Sequence, residues 1–313
     1  MVINLLRDRV VESTTSLFSH GPRPLENTLE HAPDPGLLGP DSVSWEVLGD
    51  TTAFVGGIRA LLIQTAHPEV VAGVEDHSAY RVDPLGRLTR TSLYVTETTY
   101  GAMPEVEAAV AMVRRMHKGV SGRSDRGRLY AASQPALAAW VHNVLTDSFL
   151  RAYEAYGPRR LTPEEADRFV DEQARIGALL DADPLPRTSA DLQAWILDHP
   201  DIEGGDQQRR AVRFLLNPPL SIPVRVGYGI LLQAALATVP SPLAATLRLP
   251  KAPGQRQAGA AMVHAMRWAL GASPSWHLAL VRAGAPVRNG LFRQPLPDEA
   301  ASFASGTTPF AAH

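Results

Sequence analysis

Residues 104–120, PEVEAAVAMVRRMHKGV, carry the pattern that decides the fold class. Val106, Val110, Val113 and Val120 recur at alternating steps of four and three, and His117 completes the series. Such steps trace one face of an α-helix. Pro104 suits its first turn, and Glu105 and Glu107 place carboxylates at the positive end of its dipole. The series sets an ionisable ring on the apolar stripe. Two readings stay open: a hydrogen-bonded core histidine, or a metal ligand, since a neutral imidazole in an apolar pocket is the usual proximal ligand of haem iron. Arg114, one turn earlier, shares part of that face.

Helix punctuation continues outward in both directions, and strand alternation is scarce. Thr162-Pro163-Glu164-Glu165 is a capping box with proline at the first helical position, opening a polar helix expected to face solvent through Gln173. Gln134-Pro135 opens a helix running through Tyr156 and ended by Gly157-Pro158. Thr188 and Ser189 cap another through Leu197, before His199-Pro200. The helix from Gly57 should break or kink at His67, because Pro68 removes a backbone donor and clashes with the preceding turn. Pro218-Pro219 and Pro240-Ser241-Pro242 read as joints between helices. The pattern predicts an all-α chain, a single domain over 1–313, with irregular segments at about 1–45 and 285–313.

Composition narrows the chemistry. The 313 residues are 45% hydrophobic with a net charge of −2, which excludes disorder and gives no general attraction to nucleic acid. There is no cysteine, so disulfides, thiolate metal sites and covalent c-type haem attachment are excluded. Carboxylate di-iron spacing, HExxH, GxSxG and a Walker loop are all missing. The most apolar stretch, Val226 to Val239, is 14 residues long. A spanning helix needs roughly 20, so this reads as a buried core helix. Charges at Arg7, Asp8 and Arg9 leave no apolar core for a signal peptide, and a cytoplasmic protein is expected.

Further constellations surround the opening helix. In RLTRTSLYVTETTYG, Arg87, Arg90 and Thr91 share a helical face. A partly buried arginine there needs an anion, either a carboxylate side chain or a haem propionate; the alternative is a pair of surface arginines beside a helix-interior threonine. Gln64-Thr65-Ala66-His67-Pro68 and Glu75-Asp76-His77 border the kink. His142 aligns with Ala138, Leu145 and Phe149, which makes it a rival ligand or a packed core residue. Arg114 to Arg128 holds six basic residues and one acid. It reads as a solvated helix end or an anion-binding loop, and it lacks the interleaved aromatics of a nucleic-acid groove.

The run GGIRALLIQTAHPEVVAGVEDHSAYRVDPLGRLTRTSLYV resembles the rubber oxygenase / mpaB-type catalytic-domain family. The likeness continues through VRRMHKGVSG and WVHNVLTDSFLRAYE and more loosely to about residue 280. It implies a globin-like helical bundle around a pocket holding non-covalent haem b, its iron serving an oxygenase. By the same likeness His117 is the proximal iron ligand with Arg114 before it, and Arg87 and Thr91 lie across the pocket. Arg90 stands where rubber oxygenases carry a lysine able to cap the iron, so a resting sixth ligand must be water or a side chain such as His67 or His77. Glu69 and Glu75 are merely near, in sequence, to the place of the family's acidic base.

The expectation is a haem b-dependent oxygenase acting with dioxygen, or peroxide, on a small apolar or semi-polar metabolite. Arg87, Thr91 and His67 would serve catalysis, and His117, Arg114, Arg115 and Arg90 would hold the cofactor. The alternatives are a haem-binding sensor or carrier without turnover, and a helical protein that has lost haem.

Overall fold

Asp83, Thr162 and Thr188 each accept a backbone N–H three residues ahead, at 2.9, 3.2 and 3.1 Å, and each opens a helix. These caps belong to a computed structural model that describes residues 24–288, 290–296 and 300–301. The first half of the described chain gives α1 (Val43–Gly49), α2 (Thr52–Gln64), α3 (Pro68–His77), α4 (Pro84–Tyr100), α5 (Met103–His117) and α6 (Pro135–Tyr156). The second half gives α7 (Pro163–Ala178), α8 (Ser189–Leu197), α9 (Asp206–Leu216), α10 (Ile222–Leu236), α11 (Ser241–Thr246), α12 (Gln255–Leu270) and α13 (Pro274–Arg282). The protein is all-α; among the described residues the strands are those of one two-stranded antiparallel hairpin, β1 (Ser121–Arg123) with β2 (Leu129–Ala131), in which Gly122 faces Tyr130.

The break at His67 is as the sequence predicts. Its backbone is extended (φ −97°, ψ 114°), and Pro68 starts α3. Upstream of it, α2 makes its broadest contact with α6. Gly56 allows this approach: a Cβ there would lie 2.6 Å from Phe149 Cδ1 and 2.9 Å from Phe149 Cα. One turn on, the fully buried Arg59 donates to Ser148 Oγ at 2.8 Å and pairs with Asp147 Oδ2 at 2.8 Å. At the end of the seam Trp140 Nε1 donates to Gln64 O at 3.3 Å. Behind this pair α10 packs against both α2 and α12, and one apolar cluster from Leu25 to Leu280 includes Trp45, Ile63, Trp140, Phe169 and Val263.

Three expectations are corrected. The helix α7 is not simply solvent-facing, because Ala166, Phe169, Val170 and Ala174 are buried. Its Glu172 accepts the N–H groups of Val43 and Ser44 at 3.2 and 2.8 Å, a carboxylate set against the positive end of α1. The apolar α10 is buried over its second half only; Ile222 and Val226 are 69% and 60% exposed. The basic run 114–128 leaves its helix at His117 and continues into the hairpin, whose turn uses Gly127 at φ +79°. The irregular N-terminal segment ends at Val43 and contains a 3-10 turn, Thr28–His31. Residues 1–23, with the charges at Arg7, Asp8 and Arg9, lie outside the described residues, as do 302–313. No helix among the described residues is long and apolar enough to cross a membrane.

Candidate functional site

Two helices packed side by side, α4 and α5, carry most of the residues that the sequence singles out. Arg87 sits in the first turn of α4, oriented by the Asp83 cap and by Pro84. Its side chain enters a cleft lined by Leu61, Gln64, Val70, Val71, Tyr80 and Leu215. The free space in this cleft is small, about 40 Å³. The guanidinium donates to Ser78 Oγ at 3.4 Å and lies 5.8 Å from the Tyr80 ring centre. Among the described residues no carboxylate pairs with it, and burial pulls its pKa below the usual arginine value. An arginine stays charged under such a shift, so an uncompensated positive charge faces an apolar cleft.

The other two members of this trio point elsewhere. Arg90 is exposed and lies 3.7 Å from Asp83. Thr91 is exposed too, and its hydroxyl donates to the Arg87 carbonyl at 3.1 Å, a bond to the preceding turn of its own helix. The two nearby acids are both engaged. Glu75 accepts from the Tyr80 hydroxyl and from Arg81 at 2.8 Å. For Glu69, burial raises the carboxyl pKa, but hydrogen bonds from Arg126 and Ser124 outweigh it and hold the group below the usual range.

His117 closes α5, half-buried, with Val106, Val110 and Val113 buried along the same helix. Burial lowers its pKa, so the imidazole is neutral at pH 7. Among the described residues no group hydrogen-bonds to its ring. Arg114 turns the other way: it donates to Leu179 O at 3.0 and 2.8 Å and pairs with Asp181 at 2.9 Å, both partners of the pair well exposed. Arg115 is exposed. The rival His142 is half-buried and committed to the protein, with Nε2 2.7 Å from Gln173 O and its pKa pushed down to about 4 by burial. His77 lies 3.0 Å from the Ser121 carbonyl, which requires an N–H on its Nε2.

His67 stands apart from Arg87, in a nest formed by Trp140 and His199, with ring centres at 5.6 and 5.4 Å. Sequence reasoning missed the partners of this nest: His199, Asp201 and Arg126. A signal was there, because His67-Pro68-Glu69 and His199-Pro200-Asp201 are the same tripeptide type, each placing an imidazole and a carboxylate around a proline.

A family model described as ER-bound oxygenase mpaB/B'/Rubber oxygenase, catalytic domain, matches residues 45–269. Comparison with curated proteins gives no match, and comparison with solved structures gives none.

Proposed function

Because the chain belongs to the mpaB/rubber oxygenase catalytic-domain family, we propose that it is a haem b-dependent oxygenase of a small apolar or semi-polar metabolite, with dioxygen or peroxide as oxidant. The observation that carries this reading is the His117 imidazole: neutral, half-buried, ending an apolar helical stripe, and without a hydrogen-bond partner among the described residues. A half-buried histidine held by the protein looks different, as His142 on the Gln173 carbonyl shows. The donor chemistry therefore fits a haem, whose iron, when bound, would supply oxygen binding and the redox step.

The chain's own residues would do the rest. His117 would donate a ring lone pair. Arg87 would hold a carboxylate, carbonyl or other electron-rich oxygen of the substrate by charge-assisted hydrogen bonds, while Leu61, Val70, Val71 and Leu215 take its apolar part. The Thr91 hydroxyl would have to release the Arg87 carbonyl to donate to a ligand. Among the cofactor-holding arginines, Arg115 is the better candidate for a propionate, because Arg114 is committed to Leu179 and Asp181.

The visible spectrum of the purified, haem-reconstituted protein is the test. We expect a Soret band that is lost in His117→Ala while far-ultraviolet circular dichroism is unchanged. A normally folded wild-type sample without that band overturns the proposal. A six-coordinate spectrum refusing carbon monoxide and cyanide would replace the oxygenase by a haem carrier.

A further inference from the structure

We propose that His67, His199 and Asp201 form a binding site for a divalent transition-metal ion of the zinc class, separate from His117. One ring nitrogen from each histidine and one carboxylate oxygen of Asp201 all lie within 4.8 Å of one another. Tetrahedral ligands about 2.0–2.2 Å from one ion lie about 3.3–3.6 Å apart, so a small inward turn of these side chains would bring all three onto it. The three residues come from two places in the chain. The loop after α8 is held against the α2–α3 break by a backbone bond, Glu203 N to Ala66 O at 3.0 Å. His67 caps α3, and Asp201 N donates to His199 Nδ1 at 3.3 Å.

Three features of the nest point to an added ligand. First, His67 is only 3% exposed, yet its Nδ1 has no hydrogen-bond partner; Glu69 Oε2, 3.4 Å away, is already engaged by Arg126. An orphaned polar nitrogen at that depth is costly, and a metal bond would satisfy a ring nitrogen that no protein group does. Second, Asp201 is bound through one oxygen only: Oδ1 accepts Arg126 at 2.9 Å and Arg128 at 2.5 Å, and Oδ2 remains available. Third, the local charge admits a cation. Arg126 and Arg128 face three carboxylates, Glu69, Asp201 and Glu203, which leaves one negative charge in excess.

Two imidazoles and one carboxylate are borderline donors. They favour zinc and its first-row neighbours over magnesium or calcium, which take oxygen ligands. Three protein ligands also leave a position for water or an external group. Binding at either His199 nitrogen would displace the 3.3 Å bond from Asp201 N, since a metal on Nε2 moves the ring proton to Nδ1. The surrounding Trp140 and Trp195, 4.8 Å from the His199 ring centre, would exclude water from one side.

The test is calorimetric titration of ZnCl2 into chelator-treated protein, with MgCl2 as the contrasting ion. We expect one zinc per chain, a higher melting temperature with zinc, and no effect of magnesium. His199→Ala should weaken zinc binding by more than about 100-fold, beyond what loss of a merely supporting residue does. His264→Ala, at an exposed position on α12, should leave it unchanged. X-ray absorption of the zinc-loaded wild type, independent of any variant, should show two imidazoles and an oxygen ligand. No zinc binding, equal affinity in folded His199→Ala, or a zinc shell with fewer than two imidazoles would each overturn the site. None of these results depends on the Soret band of His117.

Discussion

Glu97 is a carboxyl in an awkward place. It lies on α4 beside Glu105, in a recess shared with Leu25, Asn27, His31 and Pro104. Burial, and then the like charge of Glu105, push its pKa up to about 7. The unfolded chain gives up this proton near pH 4.5 and the folded one near 7. Stability from this group is therefore full below pH 4.5 and is lost as pH rises through 7. Glu97→Gln removes the dependence. The variant should melt higher than wild type at pH 8 and close to it at pH 5; an equal difference at both would show that Glu97 does not titrate this way. At this scale the sequence was partly readable. The placement of His117 on an apolar stripe follows from spacing, but whether its ring finds a partner depends on distant residues. His142 had the same spacing and found Gln173.

Among elements, the α2–α6 seam is set by a glycine pair whose members differ. A Cβ on Gly56 meets the Phe149 backbone, whereas a Cβ on Gly57 meets nothing within 4 Å. Both are helical, so alanine gains up to about 1 kcal/mol of propensity at either. At Gly56 the overpacking cost of about 1–3 kcal/mol exceeds that gain. We expect Gly56→Ala to lower unfolding free energy by about 1 kcal/mol or more, and Gly57→Ala to leave it unchanged or raise it, in urea denaturation. The same sign for both would refute the close approach. Helix ends were legible wherever the signal is local: Thr162, Thr188, Pro135 and Gly157 act on their own turns. The hairpin was not, because three-residue strands such as Ser121–Arg123 carry no alternation. The exposed start of α10 was hidden for another reason, as apolar composition does not say which neighbours will be there to cover it.

In the whole molecule, the segments flanking the family-matched 45–269 meet each other. Arg282, fully buried at the end of α13, donates to Thr28 Oγ1 at 2.6 Å, Tyr100 O at 2.7 Å and Asp34 O at 2.8 Å. Glu105, 3.6 Å from it, supplies the charge and also accepts from Thr28 at 2.7 Å. Arg282→Ala would leave the Thr28, Tyr100 and Asp34 oxygens without this donor and Glu105 without its positive partner. It should cost about 3 kcal/mol in urea unfolding, the scale of breaking a buried ion pair; a loss under about 1 kcal/mol would mean that water replaces the guanidinium. Neither this clasp nor the meeting of His67 with His199 was readable beforehand, since both depend on how the chain returns on itself.

The clasp also has a temporal side. Thr28 and Arg282 are 254 positions apart. During synthesis the N-terminal turn must therefore wait, with the Tyr100 carbonyl lacking its guanidinium donor, until α13 has left the ribosome. Domains generally assemble from the N-terminus as they emerge. Here the earliest described turn would be among the last parts to lock, and a chain stalled short of α13 would present an open flank to the cell's quality control.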